Sequence, residues 1–349
     1  MISLSEHPWM GGLFGDAECT TLFSADAELK RFLQIEAAWT RALGTVEGVE
    51  DAEAVAKGIE EAVIETQVLR GGTERDGLPI PALVKALKGQ LGNDALIHRG
   101  LTSQDVMDTS LMMVLGQVAE LLIGRLKALD QQLAALQDRF GAARLMAYTR
   151  MQPALETTAQ ELIGRWRQPL PRLLSDLAHC QTDLRQIQWG GPIGVRDHTN
   201  ADKLGVCFAH NLNMHDPGQA WHTDRTIVLS VGGILSRITI AMGKIGKDIA
   251  LMAALGPEQI TLVGGGSSAM THKNNPIKAE ALISLADLAS SLQSGLTRSA
   301  RHEGFRSGQA WALEWLILPE FCVTSATSLL LAGKLINDLE TFGAVPRHF

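Results

Sequence analysis

A glycine-rich stretch holds the residues of this chain that are best suited to chemistry. It contains Gly264, Gly265 and Gly266, the hydroxyls of Ser267 and Ser268, then His272, Lys273 and Asn275, and it ends at Pro276. Consecutive glycines allow positive φ angles and let bare N–H groups approach a bound anion. Hydroxyls, amides and a fixed cation suit a reaction that develops negative charge on a carboxylate. We therefore predict a catalytic loop here, although a glycine run alone is more often a flexible connection.

A second polar cluster lies directly before a long apolar pattern and contains His98, Thr102, Ser103 and Gln104. Thr102 or Ser103 could serve simply as the N-cap of the following helix. The functional alternative is an anion site, because free N–H groups and the helix dipole favour a carboxylate at a helix N-terminus.

A third cluster, Thr149, Arg150 and Gln152, precedes another predicted helix. Arg150 could hold a carboxylate through two hydrogen bonds, although a surface arginine beside a capped helix is the commoner explanation. Residues 221–225 and 298–306 are also rich in charge. The simplest interpretation of both is a solvated loop, and Arg306 in the second is a candidate for carboxylate binding.

The overall composition limits the partners of the chain. Its formal charge of −7 argues against a general affinity for nucleic acid or an anionic membrane, so a polyanionic substrate needs a local cationic site. No secretory signal is visible at the N-terminus, and Arg237, Lys244 and Lys334 interrupt the apolar segments. We expect a cytoplasmic protein without a membrane span. The spacing of the other histidines predicts no metal site.

Apolar residues three or four positions apart predict an all-α fold with about five long helices. They cover residues 105–140, 156–187 and 227–252, a stretch from Pro276, and residues 310–340, with Pro169 and Pro171 bending or restarting the second. Shorter helices are expected from Ser24, over residues 52–66 and over 81–88, and loops over 11–16 and 70–81. No long alternating pattern demands a sheet.

These elements indicate a small N-terminal helical domain over residues 1–93, an elongated bundle over residues 94–342 that carries the catalytic loop, and a tail over residues 343–349. Several bundle helices are apolar on more than one face. Such helices need more cover than their own subunit provides, so we expect oligomerisation through the bundle.

The glycine-rich stretch resembles the G-S-S-x-M-x-x-K-x-N signature of the fumarase/aspartase superfamily, and the other clusters occur in the order of its remaining signature regions. Within that superfamily the chain is most similar to the bacterial 3-carboxy-cis,cis-muconate cycloisomerase family. The strings that indicate this are residues 12–16, 80–87, 100–109, 149–152, 221–223 and 310–315. Thr271 and Asn274 replace the usual proline and arginine of the signature. From the resemblance we also expect that the C-terminal helical domain of most relatives is absent here.

The resemblance implies a homotetramer whose active sites are each built from three subunits. We expect no metal or organic cofactor, because the sequence shows no cluster of metal ligands and the implied reaction involves no redox change. It implies lactonisation of 3-carboxy-cis,cis-muconate, a small polycarboxylate, in the protocatechuate branch of the β-ketoadipate pathway. Ser268 would transfer the proton, while Lys273 and Asn275 would stabilise the charged intermediate. Substrate binding would involve His98, Thr102, Ser103, Gln104, Thr149, Arg150, Gln152, Ser267, His272 and Arg306. His98 could bind substrate or transfer a proton.

Two alternatives remain open from the sequence. One is a lyase of the adenylosuccinate or argininosuccinate type that releases fumarate. Adenylosuccinate lyases, however, usually carry Thr-His where this chain has Thr149-Arg150, and an arginine near Trp315. The other alternative is a catalytically silent helical assembly protein.

Overall fold

Helices form most of the protein, which confirms the predicted all-α class. The computed structural model describes residues 4–92, 95–266, 270 and 273–343. The first helices are α1 (Gly11–Phe14), α2 (Ala17–Leu22), α3 (Ala25–Glu47), α4 (Ala52–Glu60), α5 (Thr66–Asp76) and α6 (Ile80–Leu91). They are followed by α7 (Ser103–Phe140), α8 (Ala159–Arg167), α9 (Leu170–Asp183), α10 (Ala201–Asn211), α11 (Thr226–Leu255), α12 (Ile277–Ser299) and α13 (Gly308–Asn337).

The body of the protein is a bundle of α7, α8, α9, α11, α12 and α13 around one apolar core. On α7, the predicted stripe of leucines, including Leu122, Leu126, Leu129 and Leu133, is buried. Four of the five predicted long helices are continuous. The fifth is divided into α8 and α9 at Pro169, which follows from the proline's missing N–H and fixed φ.

A second apolar core joins the N-terminal helices to α10. Trp39 of α3 packs against Trp189 and Phe208, with ring centroids 5.0 and 5.2 Å apart. Trp189 and Phe208, which come much later in the sequence, therefore belong to the same core as the N-terminal helices. The division of the chain at residue 93 stays a prediction.

The predicted loop over residues 70–81 is wrong, because α5 continues through Gly71 and Gly72 to Asp76. A Cβ atom at Gly72 would lie 2.2 Å from the Cβ of Ala82 on α6. This glycine permits close packing of two helices and does not break one. The predicted opening loop over residues 11–16 likewise contains α1. Its last residue, Asp16, caps α2 by accepting a hydrogen bond from the Cys19 N–H at 2.9 Å.

Two short antiparallel pairs of strands occur where no sheet was expected. The first pairs β1 (Arg144–Thr149) with β2 (Gln152–Thr158), and the second pairs β3 (Ile260–Leu262) with β4 (Leu339–Phe342). Arg150 and Met151 form the turn of the first hairpin with φ angles of 50° and 64°. Positive φ at both central residues is what a two-residue type I′ turn requires.

Three helices among the described residues, α7, α11 and α13, are long and apolar enough to cross a membrane. The expectation from the sequence was that Arg237, Lys244 and Lys334 prevent any helix from spanning a membrane. The length and hydropathy of these three helices do not support that expectation. The most apolar stretch of 18 residues in each helix is only partly buried inside the protein. The buried share of this stretch is 56% for α7, 56% for α11 and 72% for α13. The remainder leaves apolar surface on the outside of the bundle.

Candidate active site

The N-terminus of α7 is held by one buried carboxylate, that of Asp105. It accepts hydrogen bonds from the backbone N–H groups of Thr102 at 2.9 Å, Gly190 at 2.9 Å and Gly191 at 3.0 Å, and it contacts His222 Nε2 at 2.8 Å. Burial raises the pKa of Asp105, while His222 and the N–H donors oppose that rise. Thr102 and Asp105 form a capping box, so the N-cap interpretation of Thr102 is correct.

Gln104 and Arg306, predicted as substrate-binding residues from distant parts of the sequence, are in direct contact. Arg306 Nε donates to Gln104 Oε1 at 2.8 Å. The Gln104 amide group is buried and donates to Asp108 Oδ2 at 3.0 Å and to the His222 carbonyl at 2.8 Å. These bonds use both N–H groups of the Gln104 amide, and its oxygen contacts the half-exposed guanidinium of Arg306.

His98 lies beside a fully buried carboxylate, with 2.6 Å between His98 Nδ1 and Glu36 Oε1. Burial alone would lower the pKa of His98, but the charge and hydrogen bond of Glu36 outweigh it and the pKa is raised. The imidazole keeps 17% of its side-chain surface exposed. It can therefore present a positive charge to a carboxylate.

The expectation of a solvated loop at residues 221–225 is wrong, because Trp221, His222 and Arg225 are buried. The Arg225 guanidinium binds both oxygens of Asp108 at 2.9 and 3.1 Å, and both oxygens of Glu314 at 2.6 and 2.9 Å. Sequence reasoning missed this cluster. The available signal was the pair Asp105 and Asp108, two carboxylates one turn apart at the start of an apolar helix, which require donors when they are buried.

The hairpin and the base of the glycine-rich loop both lie near the Phe140 end of α7. Thr149, Arg150 and Gln152 are exposed at the hairpin tip, not at a helix start. At the base of the loop, the Asn275 N–H donates to the Gly265 carbonyl at 2.8 Å. The side-chain amide of Asn274 donates to the Leu262 carbonyl, so this departure from the signature ties the loop to β3.

Some of the predicted catalytic loop lies outside the described residues. This applies to Ser267, Ser268 and His272. Lys273 is exposed, and Asn275 is half-buried beside it. No group of three or more potential metal ligands occurs within the described ranges.

The length of α7 separates the two groups of predicted residues. Its 38 residues span about 55 Å at the usual rise of an α-helix. Ser103 begins this helix, whereas Arg139 near its end donates to the Leu339 and Glu340 carbonyls of β4, which pairs with β3. The residues near the first end of α7 are therefore His98, Thr102, Ser103, Gln104 and Arg306. The hairpin and the base of the loop lie near its other end.

Comparisons with known proteins agree with this architecture. A family model described as lyase matches residues 21–288. The 3-carboxy-cis,cis-muconate cycloisomerase of Pseudomonas aeruginosa is 32% identical, over 94% of this chain and 74% of that protein. The enzyme of the same name from Bradyrhizobium diazoefficiens is 29% identical, over 98% of this chain and 79% of that protein. The crystal structure of the Pseudomonas putida 3-carboxy-cis,cis-muconate lactonizing enzyme has a TM-score of 0.88 at 26% identity, over 95% of this chain and 77% of that one. The chain belongs to the lyase family of the fumarase/aspartase superfamily, in which it groups with the 3-carboxy-cis,cis-muconate cycloisomerases.

Proposed function

We propose that the protein is a cycloisomerase that converts 3-carboxy-cis,cis-muconate to 4-carboxymuconolactone. The observation that carries this proposal is the 32% identity to a cycloisomerase of that name over 94% of the chain. In the reaction, one carboxylate oxygen of the substrate bonds to a carbon of the conjugated diene. A proton then adds to the carbon beside another carboxylate, and no atom leaves the molecule.

The difficult step is formation of the doubly charged aci-carboxylate, which must be stabilised as it develops. We assign that task to Lys273 and Asn275, whose described positions at the loop base support it. Ser268 is assigned the proton transfer. A serine is a poor base unless its alkoxide is stabilised, and the ammonium of Lys273, which follows in the same loop of the sequence, would provide that stabilisation.

The remaining carboxylates of the substrate need cationic partners. His98 and Arg306 supply two of these cations at the start of α7. Glu36 contacts the His98 imidazole, and Gln104 accepts a hydrogen bond from Arg306. Thr102 and Ser103 add hydroxyls at the same helix N-terminus. Thr149, Arg150 and Gln152 at the hairpin tip, with Ser267 and His272 of the loop, complete the proposed set.

These groups can meet only if subunits share the site, since about 55 Å separates the ends of α7. We therefore propose a homotetramer with composite active sites. Apolar side chains on the bundle surface support it: Ile240 of α11 is 57% exposed, Leu288 of α12 is 41% exposed and Leu316 of α13 is 77% exposed. Partner helices covering these faces would remove them from water. We place the assembly in the cytoplasm, without nucleic-acid or membrane partners.

The decisive experiment is incubation of the pure protein with 3-carboxy-cis,cis-muconate while the absorbance of the diene is followed. The proposal expects loss of that absorbance and formation of the lactone. Fumarate release from a succinyl-type substrate, without muconate turnover, would instead identify the lyase alternative. If the protein acts on neither the muconate nor the succinyl-type substrate, the remaining alternative is a catalytically silent assembly protein.

A further inference from the structure

A cavity of about 520 Å³ lies between α3, α5, α7 and α13. We call it the tryptophan cavity, because Trp311 and Trp315 of α13 form part of its wall with their ring centroids 4.6 Å apart. Phe32 and Leu111 contribute further apolar surface. A volume of this size lies within the usual range for small-molecule sites, about 300–1,000 Å³.

One cation that lines this cavity, Arg31, makes no direct ion pair with any residue that the structure describes. Arg31 is only 6% exposed, and its guanidinium donates to Ser110 Oγ at 3.0 Å and to the Leu22 carbonyl at 2.9 Å. Across the described part of the chain, Arg31 forms no ion pair within 4 Å. A buried charge without a counter-ion is costly, so proteins usually pair it or use it to bind one.

The other charged groups of the cavity do not fill that role. Asp108 and Glu314 are both bound to Arg225. Asp26 and Glu28 are exposed and make no ion pair with Arg31. Burial lowers the pKa of the Arg31 guanidinium, and the charge of Glu28 partly opposes that effect. Ser110 is 3% exposed and accepts a hydrogen bond from Arg31, so its own hydroxyl hydrogen is available for donation to an anion.

We propose that the tryptophan cavity binds a small aromatic carboxylate. Its carboxylate accepts hydrogen bonds from the remaining N–H groups of Arg31 and from the Ser110 hydroxyl, and its ring packs against Trp311 and Trp315. The planar guanidinium matches a carboxylate, and aromatic rings pack favourably edge-to-face or offset on tryptophan. The proposed lactonisation uses none of these four residues, so this is a separate binding site.

The test uses calorimetric titration of the full chain with 2-naphthoate and with 2-naphthamide, which share a ring system and differ in charge. We expect one naphthoate bound per chain and at least tenfold weaker binding of the amide. The Arg31→Met variant should lose this preference. The matched control, Arg306→Met, removes a half-exposed cation from the proposed active site and should keep it.

Several outcomes would overturn the proposal. These are equal affinity for the two compounds, absence of naphthoate binding, a preference that survives Arg31→Met, or one that disappears in Arg306→Met. If Arg31→Met fails to fold by circular dichroism, Ser110→Ala and Trp315→Leu replace it. Both should weaken naphthoate binding, and unchanged affinity in both rejects the site. Muconate turnover is measured in parallel, so failure of the binding site and failure of the proposed reaction remain distinguishable.

Discussion

The pairing of His98 with Glu36 shows how a single buried carboxylate prepares a histidine for anion binding. Glu36 is fully buried, and one of its oxygens contacts His98 Nδ1 at 2.6 Å. The pKa of the imidazole is raised above its ordinary value of 6.5 despite burial. At a given pH, His98 is therefore protonated to a greater extent than a free histidine.

We expect Glu36→Gln to lower the pKa of His98, because burial then acts without the opposing charge. NMR titration of the His98 ring measures this directly. In the wild type, the pair contributes stability fully below the unfolded pKa of about 6.5, and the contribution is lost as the pH rises through the higher folded pKa. Denaturant unfolding at several pH values should show that loss in the wild type and not in Glu36→Gln. An unchanged His98 pKa in the variant would contradict the assignment.

Arg150 is the exposed candidate for carboxylate binding, and Arg144 of the same hairpin is its matched control. Arg144 pairs with Glu156 at 2.7 Å, whereas Arg150 has no hydrogen-bond or ion-pair partner among residues 4–92, 95–266 and 273–343. Arg150→Ala should raise KM by about tenfold or more, the scale of a lost charge-assisted hydrogen bond. Arg150→Lys should restore part of the lost substrate binding, because an ammonium cannot form both hydrogen bonds. Arg144→Ala should leave KM nearly unchanged. Steady-state kinetics that are identical for all three variants would make Arg150 an ordinary surface charge.

For the proton transfer, Ser268→Ala should reduce kcat by roughly 10²–10⁴-fold, the contribution of a positioned acid or base. Substrate binding should be nearly intact, because the groups that hold the carboxylates remain. Ser267→Ala should be milder, since that hydroxyl is assigned to substrate binding. The reverse pattern would move the assignment by one residue, and full activity in both variants would remove the loop from catalysis.

At the scale of elements, α5 shows that two adjacent glycines can occupy a helix for different reasons. A Cβ atom at Gly71 would meet nothing within 4 Å, whereas one at Gly72 would lie 2.2 Å from the Ala82 Cβ. Gly71→Ala should stabilise the protein by about 0.5–1 kcal/mol, because alanine has the higher helix propensity. Gly72→Ala should destabilise it by about 1–3 kcal/mol through overpacking against α6. Urea unfolding of the two variants tests this, and equal effects would mean that α5 and α6 are not packed this closely.

At the scale of the whole molecule, the bundle separates groups that the proposed reaction needs together. Arg306 lies at one end of α7 and the glycine-rich loop at the other, about 55 Å away. Composite sites make a specific prediction. Co-expression of Arg306→Ala and Ser268→Ala, each inactive alone, should restore activity, because some mixed tetramers contain sites with both residues intact.

The control is co-expression of Lys273→Ala with Ser268→Ala. Both changes lie in one loop of one chain, so no mixed site is intact and no activity should return. Recovery in the control, or none in the first pair, would contradict sharing of the site between subunits.

Local patterns in the sequence determined the long helices of this protein. Leucines three or four residues apart on α7 predicted a continuous helix, because helix geometry places such neighbours on one face whatever else the chain does. Pro169 marked the division between α8 and α9 for an equally local reason. The glycine-serine signature, a contiguous string, indicated the family that the comparisons then confirmed.

Only the tertiary structure decided which polar groups meet. His222 reaches Asp105, and Arg225 reaches Asp108, across 117 residues in each case. Nothing local in residues 221–225 distinguishes a buried cluster from a solvated loop. Gly72 lies in a helix and lets Ala82 pack closely against it, and the turn at Arg150 depends on two residues adopting positive φ. The free energy of each of these contacts and conformations depends on the residues that pack or pair there in the folded chain. The local spacing of residue types does not specify those partners.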